Sequence, residues 1–386
     1  MARITPDLIK SLITQQGTLY VPKSITDAIG SCAISSANAI RDEGNRLREE
    51  YDRLSQKREP ILIDYSGVVT IDAYTVYYLP GNTLVPKLSI LYCAYNPAFQ
   101  SLPEKLRILD VGSGTGGVIL GLLDLFQNEN LADTSLDIVA VDASAEALER
   151  QSLLVQHVGL HGSSYQCCQA DLSDPSDYQD KLASRAPYSM VFAANIFAEL
   201  TEQAIDALLE HITRQISDDG IIINVESQSN YAMRQRARIA KNAQVLGLHI
   251  YYPCPPNLPC PKSECWMWRE DNFECPDIII KDEPLETTQI QKAHWMIFCR
   301  EDHSIHGMLT NKNSKVTWGI KAPKYRPRDQ GDVVEQQYEV CTIRGLEEFV
   351  HRRKKLSLIL STEPYKRGSF IGYTDDYSEL EYWDIV

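Results

Sequence analysis

From residue 104 to about 300 the chain alternates short apolar runs with segments of helical period. The runs are Leu106–Val111, Asp137–Val141, a short one near Tyr165–Ala170, Tyr188–Asn195, Gly220–Glu226, His249–Tyr252 and His294–Arg300. Between them Val118–Phe126, Ala145–His157, Glu202–Ile216 and Tyr231–Leu246 read as helices. A strand buried on both faces needs a continuous apolar run, and alternation with helices predicts a parallel sheet covered on both sides. The fold class is therefore α/β.

The flanks differ. Residues 1–100 read as helical. Ser24-Ile-Thr-Asp-Ala-Ile-Gly predicts a helix start, with Ser24 as cap and Asp27 in the first turn, and the pattern runs on to about Leu54. Its charged end, Arg41 to Arg53, reads as a solvated face, and Pro60 breaks the pattern. Thr70–Tyr78 is amphipathic and rich in tyrosine, which reads as packing, and the segment is placed to cover a ligand site from the amino-terminal side. Residues 304–386 read as β-rich, with a basic run at His351-Arg-Arg-Lys-Lys355. The expected domains are 1–100, 101–303 with a cysteine-rich insertion at 253–285, and 304–386.

The stretch Leu106-Arg-Ile-Leu-Asp-Val-Gly-Ser-Gly-Thr-Gly-Gly117 is a strand, a glycine-rich turn and a helix start. A helix N-terminus concentrates free N–H groups, and glycine lets a ligand approach the backbone. Gly112, Gly114 and Gly117 satisfy the dinucleotide pattern, a weak match taken alone. Three acids shift the reading to S-adenosylmethionine. Asp110 would repel a pyrophosphate but suits the ammonium of a methionine moiety. Asp142, ending the second strand, can take both ribose hydroxyls, as in NAD sites too. Asp171 ends the third strand, placed to meet an adenine amino group. In order and spacing these residues resemble the class I S-adenosylmethionine methyltransferases. The resemblance implies a Rossmann-like sheet and a cofactor set of Asp110, Gly112, Gly114, Gly116, Asp142, Asp171 and Asn195. Asn195, Glu199 and Glu226 stand at strand ends where they could face the pocket mouth, or serve as caps or loop polar groups. No catalytic residue stands out. Asn195-Ile-Phe-Ala lacks the prolines of the Asn/Asp-Pro-Pro-Tyr/Phe pattern for methylating planar nitrogens.

Charge narrows the partners. A net charge of −14 argues against a non-specific nucleic-acid binder. No apolar run approaches the ~18 residues of a membrane span, and no signal-peptide core precedes the first helix. The expected location is cytoplasmic, with no membrane and no disulfide-linked partner. Of ten cysteines, Cys32, Cys93, Cys167 and Cys168 read as packing. Four more crowd into Pro253-Cys-Pro-Pro-Asn-Leu-Pro-Cys-Pro-Lys-Ser-Glu-Cys-Trp-Met-Trp268 and Phe273-Glu-Cys-Pro276. Four thiolates can hold zinc or an iron–sulfur cluster, and spacings wider than zinc knuckles lean towards a cluster.

The segment from Glu226 through Arg234–Ala243 to Tyr252-Pro-Cys-Pro-x-x-x-Pro-Cys-Pro261 resembles the ribosomal small-subunit methyltransferase-like proteins, assembly factors of mitochondria and bacteria. Ala73-Tyr-Thr-Val-Tyr-Tyr-Leu-Pro80 resembles that family's opening helix, and the likeness covers about residues 70–345. It implies a 4Fe-4S cluster, with zinc as the alternative, on Cys254, Cys260, Cys265 and Cys341, with Cys275 as a substitute. The partner implied is the ribosomal small subunit or its RNA, met by the basic helix and the carboxy-terminal part. Two departures are Glu226-Ser-Gln-Ser-Asn in place of Glu-Pro-Gly-Thr-Pro, and Trp266 after rather than before Cys265. Three functions follow: a methyltransferase-like assembly or translation factor, a methyltransferase on a small molecule or protein, and a non-catalytic metal-dependent interaction protein.

Overall fold

The computed structural model describes residues 3–96, 99–254, 269–287 and 289–305, and beyond these the backbone of strands within 316–383. The amino-terminal part comprises α1 (Pro6–Ile13), β1 (Thr14–Gln15), β2 (Thr18–Tyr20), α2 (Lys23–Cys32), α3 (Ala37–Ser55), α4 (Val68–Tyr77), α5 (Leu79–Asn82) and α6 (Leu84–Ala94). The single helix expected from Ser24 to Leu54 is divided at residues 33–36. There Ser36 caps α3 through the Ala39 N–H (3.3 Å). The buried Asp72 carboxylate accepts the N–H groups of Ile34 (3.1 Å) and Ser35 (2.8 Å), which gives the broken backbone its partners. Ser24 lies inside α2 instead of capping it; Pro22 holds the cap position.

The α/β part follows the apolar runs: β3 (Lys105–Val111), α7 (Gly117–Phe126), β4 (Ser135–Asp142), α8 (Ala145–Val158), β5 (Ser164–Gln169), α9 (Pro175–Ala183), β6 (Tyr188–Ala194), α10 (Glu202–Gln215), β7 (Ile216–Ser227), α11 (Asn230–Val245) and β8 (His249–Tyr252). Then come β9 (Arg269–Glu274), β10 (Ile278–Ile280), β11 (Glu283–Leu285) and β12 (Ile290–Cys299). The main sheet runs β5-β4-β3-β6-β7-β12-β9-β2-β1, with β8 also on β12. β3 to β7 are parallel and β12 is antiparallel to β7. The order reverses across β3, and this topology is the Rossmann-like class I methyltransferase sheet expected from the sequence.

Alternate residues on each strand feed two cores. Ile108, Ile138, Ala140 and Phe192 pack towards α6, α7 and the amino-terminal helices; Leu109, Val111, Val141 and Val191 pack towards α9, α10 and α11. Cys93 is buried as expected, but Cys167 is exposed, because β5 is an edge strand with a polar outer face. The described part of the expected insertion forms strands, and β9 pairs with both β12 and β2. Cys260 and Cys265 lie outside the described residues. The carboxy-terminal part is β-rich as expected: β13 (Val316–Pro323), β14 (Arg328–Gln330), β15 (Val333–Thr342), β16 (Gly345–Lys354), β17 (Phe370–Tyr373) and β18 (Leu380–Trp383) form a separate antiparallel sheet.

Asp72 also pairs with Arg150, which is itself buried, and so ties α4 to α8. Asp72→Ala would strand a buried guanidinium and two backbone donors. The expected loss is about 3–5 kcal/mol, measured by denaturant unfolding.

Candidate functional site

β3 ends at Val111, and the chain then turns through positive φ at Gly112 (+68°), Gly114 (+51°) and Gly116 (+94°) before α7 begins. A Cβ at Gly112 would stand 2.7 Å from Ile196, and one at Gly116 would stand 2.7 Å from Gln151. One at Gly114 would meet nothing within 4 Å, so the turn is closed on its flanks and open at its tip.

Asp142 closes the neighbouring strand. Its carboxylate accepts the Gly114 N–H (2.8 Å) and the Ser144 N–H (2.9 Å), which fixes the acid against the turn. Burial outweighs these donors and raises its pKa. Asp110 lies beneath. It is 1% exposed, and neither carboxyl oxygen has a partner among the described residues. Burial, then the Asp142 charge, hold its proton well above the usual carboxylate range. The hydroxyls of Ser113 and Thr115 are also buried without partners. Each orphan of this kind costs about 1–3 kcal/mol, a cost that a bound polar ligand removes. The donor set fits S-adenosylmethionine: Asp110 can take an ammonium, Asp142 a ribose diol, and the open tip at Gly114 admits the ligand.

The remaining expected residues are placed less uniformly. Asn195, at φ +60°, continues β6 and donates its backbone N–H to Val225 (2.7 Å). Its amide reaches Asn82 of α5 at 3.5 Å. Asp171 is exposed, and its carboxylate accepts the Ser173 N–H (2.8 Å) and hydroxyl (2.6 Å). It makes the turn before α9, and like Asp110 and Asp142 it is not among the residues lining the cavity described next.

A cavity of about 810 Å³ lies beyond Asn82, which packs on Gly117; the glycine turn, Asp110 and Asp142 are not among its lining residues. Asn195 and Glu199 line it from the sheet, Gly81 and Asn82 from α5, and Tyr51, Tyr65, Tyr74 and Tyr78 from the amino-terminal part. Tyr65 meets Tyr74 edge-on at 5.1 Å, and Tyr74 stacks on Tyr78 at 5.3 Å. The tyrosines expected to be packing residues do pack against the core, and their other side forms a cavity wall. The placing of Thr70–Tyr78 over a ligand site anticipates Tyr74, but Asn82 escaped the sequence reading because Leu79-Pro-Gly looks like a helix stop, whereas here it opens a short helix against α7.

Two acids at this strand end behave differently. Glu226 is buried and fully engaged, accepting the N–H groups of Phe197 (2.8 Å) and Ala198 (3.2 Å) and the Asn224 amide (3.1 Å). It shapes the turn after β6. Glu199 lines the cavity and has no such bonds. Burial pushes both carboxyls up to about 8, with the Asp142 and Glu226 charges adding to the effect at Glu199.

Other expected features look different in three dimensions. On α11, Arg236 is buried and donates to the Trp295 carbonyl (3.1 Å), and Arg238 pairs with Asp206 and Glu202, leaving Arg234 and Lys241 exposed. The helix is less basic in its surface than in its sequence. Cys254 is half-buried against the core, and Cys275 is buried with its thiol pKa raised by burial. Among the described residues no group of three or more His, Cys, Asp or Glu side chains could hold a metal ion.

The family model described as mitochondrial small ribosomal subunit Rsm22 matches residues 69–272. No curated protein matches the chain. Among solved structures, the TehB-like SAM-dependent methyltransferase from Corynebacterium glutamicum is 14% identical over 68% of this chain and 100% of its own, with a TM-score of 0.33. Magnesium protoporphyrin IX methyltransferase from Synechocystis PCC 6803 is 14% identical over 67% of this chain and 93% of its own, with a TM-score of 0.37. A putative RNA methyltransferase from Pyrococcus horikoshii is 15% identical over 58% of this chain and 85% of its own, with a TM-score of 0.35. The strand order, not these distant likenesses, carries the fold assignment. The family description corrects one expectation: it is mitochondrial, not cytoplasmic. Lack of an apolar leader core could not have decided this, since mitochondrial leaders are amphipathic and arginine-rich rather than apolar.

Asp110 yields a prediction with a definite sign. Its folded pKa lies above its unfolded value, so the fold binds the proton more tightly and loses stability as pH rises through the range above the ordinary carboxylate pKa. Asp110→Asn removes that loss. In urea unfolding the variant should gain about 1 kcal/mol or more, relative to wild type, on going from pH ~5 to ~8. An equal gain at both values would contradict the assignment.

Proposed function

The chain belongs to the Rsm22 family, and from that premise we propose that it binds S-adenosylmethionine and acts in assembly or translation of the ribosomal small subunit. One observation supports the cofactor above all: the buried, unpartnered Asp110 carboxyl beneath a glycine turn that is open at Gly114. Asp110 would hold the methionine ammonium and Asp142 the ribose. Gly112 and Gly116 would let the backbone close around the ligand. Asn195 and Asn82 would stand where the cofactor meets the cavity. When bound, the cofactor supplies an electrophilic methyl group. The protein's own part in such a transfer is to align a nucleophile in the cavity and keep water out. Asp171 enters this reading only if its turn with Ser173 opens.

The ribosomal partner is drawn from the family's description and from the sequence resemblance. α11 offers it Arg234 and Lys241. The second group, a 4Fe-4S cluster or zinc, is assigned to Cys254, Cys260, Cys265 and Cys341 on sequence alone. The core position of Cys275 makes it a poor substitute, since burial disfavours its thiolate. A second reading, methyl transfer to a small molecule or protein, draws on the size of the tyrosine-walled cavity.

Calorimetry on the full chain tests the cofactor reading. S-adenosylmethionine should bind one to one. Gly114→Arg should abolish binding while costing only about 1–2 kcal/mol of stability, because the added side chain enters open space and the strain is that of one left-handed residue. Binding unaffected by Gly114→Arg would place the ligand elsewhere. Co-sedimentation with small subunits then separates the two readings.

A further inference from the structure

Four carboxyls converge on the end of the sheet that carries the glycine turn and one side of the cavity: Asp110, Asp142, Glu199 and Glu226. None of them forms an ion pair among the described residues. Two are accounted for by the fold. Asp142 is held by two backbone N–H groups, and Glu226 by two more and the Asn224 amide. Asp110 is accounted for by the cofactor reading, beneath the turn. Glu199 is left over. It follows β6 by a tight turn, with its N–H bonded to the Ile196 carbonyl (3.0 Å), and it lines the cavity beside Asn195.

Among the described residues, the charges that act on Glu199 are both negative. From the sheet, Asp142 and Glu226 act on it with like charge. From the amino-terminal part, Tyr65 and Tyr74 lie within its electrostatic reach, and burial raises both phenols far above neutrality. Arg48 and Lys292 share the cavity wall with Asp52, yet neither cation contributes to the shift at Glu199. Such surroundings favour the neutral form of this part-buried acid, and a nearby positive charge would reverse that preference.

Resting on the cofactor reading above, we infer that Glu199 is the counter-charge for a cation between the glycine turn and the cavity, namely the sulfonium of the methyl donor. The donor is a cation at sulfur, whereas the demethylated product, S-adenosylhomocysteine, is a neutral thioether there. Both carry the same ammonium, carboxylate and ribose, so Asp110 and Asp142 treat them alike. Glu199 separates them. Donor uptake would ionise Glu199 and release its proton to solvent, and loss of the sulfonium charge would favour its reprotonation. The sign follows from linkage. In the empty site the carboxyl titrates at about 8, and a nearby cation lowers that value. Donor affinity therefore rises with pH up to the empty-site value and levels off above it, while the contribution of Glu199 to product affinity stays flat.

Titration calorimetry on the full chain, with S-adenosylmethionine and S-adenosylhomocysteine as probes, tests this without a methyl acceptor. The donor-to-product affinity ratio should rise about tenfold between pH ~6.5 and ~8.5. Near neutrality, buffers of different ionisation enthalpy should report most of one extra proton released per donor bound. Glu199→Gln should flatten the ratio while leaving product affinity within about twofold, and Glu199→Asp should retain the pH dependence, shifted in midpoint. A ratio in the wild-type chain that does not change with pH, or the same rise in Glu199→Gln, would overturn the assignment and leave the cofactor reading intact. Failure of both probes to bind would overturn the two together. The wild-type profile decides even where a variant fails to fold.

Discussion

The close approach of α7 to α5 and α6 governs the rest of the site. A Cβ at Gly121 would stand 2.1 Å from the Thr83 carbonyl oxygen, and one at Gly117 would stand 2.6 Å from the Asn82 Cβ. Backbone and side chain meet there at distances that only glycine permits. The glycine-rich stretch therefore does more than admit a ligand. Its last residue, with Gly121 one turn on, lets the amino-terminal helices lie directly on the helix that the ligand-binding turn begins. Tyr74 and Asn82 reach the strand ends because of that contact. The buried Asp72–Arg150 pair holds the same helices from α8, and Lys87 of α6 reaches Asp124 of α7. The amino-terminal part is thus a wall of the cavity, held to the cofactor helix at several points.

The turn after β6 follows a similar logic at the other side of the cavity. A strand end facing a ligand leaves backbone donors that must find partners. Glu226, from the neighbouring strand, meets the N–H groups of Phe197 and Ala198. This fixes Asn195 at a positive φ and holds Glu199 in the cavity wall. The buried acid shapes the turn, and the second acid lines the cavity. Sequence alone ranks the two equally, since both are glutamates near strand ends.

What was legible followed local rules. The apolar runs marked the inner strands of the parallel sheet, because a strand buried on both faces has little freedom in composition, whereas the edge strand β5 is largely polar and exposed. The glycine turn was legible for a related reason: it needs φ values and close approaches that few residues allow. What was not legible depended on distant partners. The break between α2 and α3 relies on Asp72, more than thirty residues away, to bond Ile34 and Ser35. The exposure of Cys167 depends on β5 being an edge strand. Burial of Cys275 depends on β9 joining the sheet. That the Asp171 carboxylate accepts the Ser173 N–H and hydroxyl in the ligand-free chain was likewise not legible from its place at a strand end. The tyrosines of α4 pack on the core as expected, but that they also bound a cavity depends on Asn195 and Glu199 opposite and could not be read locally.

Placing buried and part-buried carboxyls together with no cation paired to them among the described residues is unfavourable for the empty protein. Each must keep a proton or repel its neighbours, and each proton held against the solvent pH lowers stability. Arginine or lysine in this cluster would relieve the cost, and the chain does use such pairs elsewhere, at Asp72 with Arg150 and at Asp124 with Lys87. Here it supplies backbone N–H groups to Asp142 and Glu226 and none to Asp110. A fixed internal cation would stabilise the resting protein but would occupy the place of an incoming one. A site that takes up and releases a cation is better served by acids that change protonation, because the resting state then remains neutral and no internal ion pair has to break when the ligand enters. The acids at this sheet end are arranged in that way, and the tyrosine faces opposite them offer a cation a second favourable surface without adding charge.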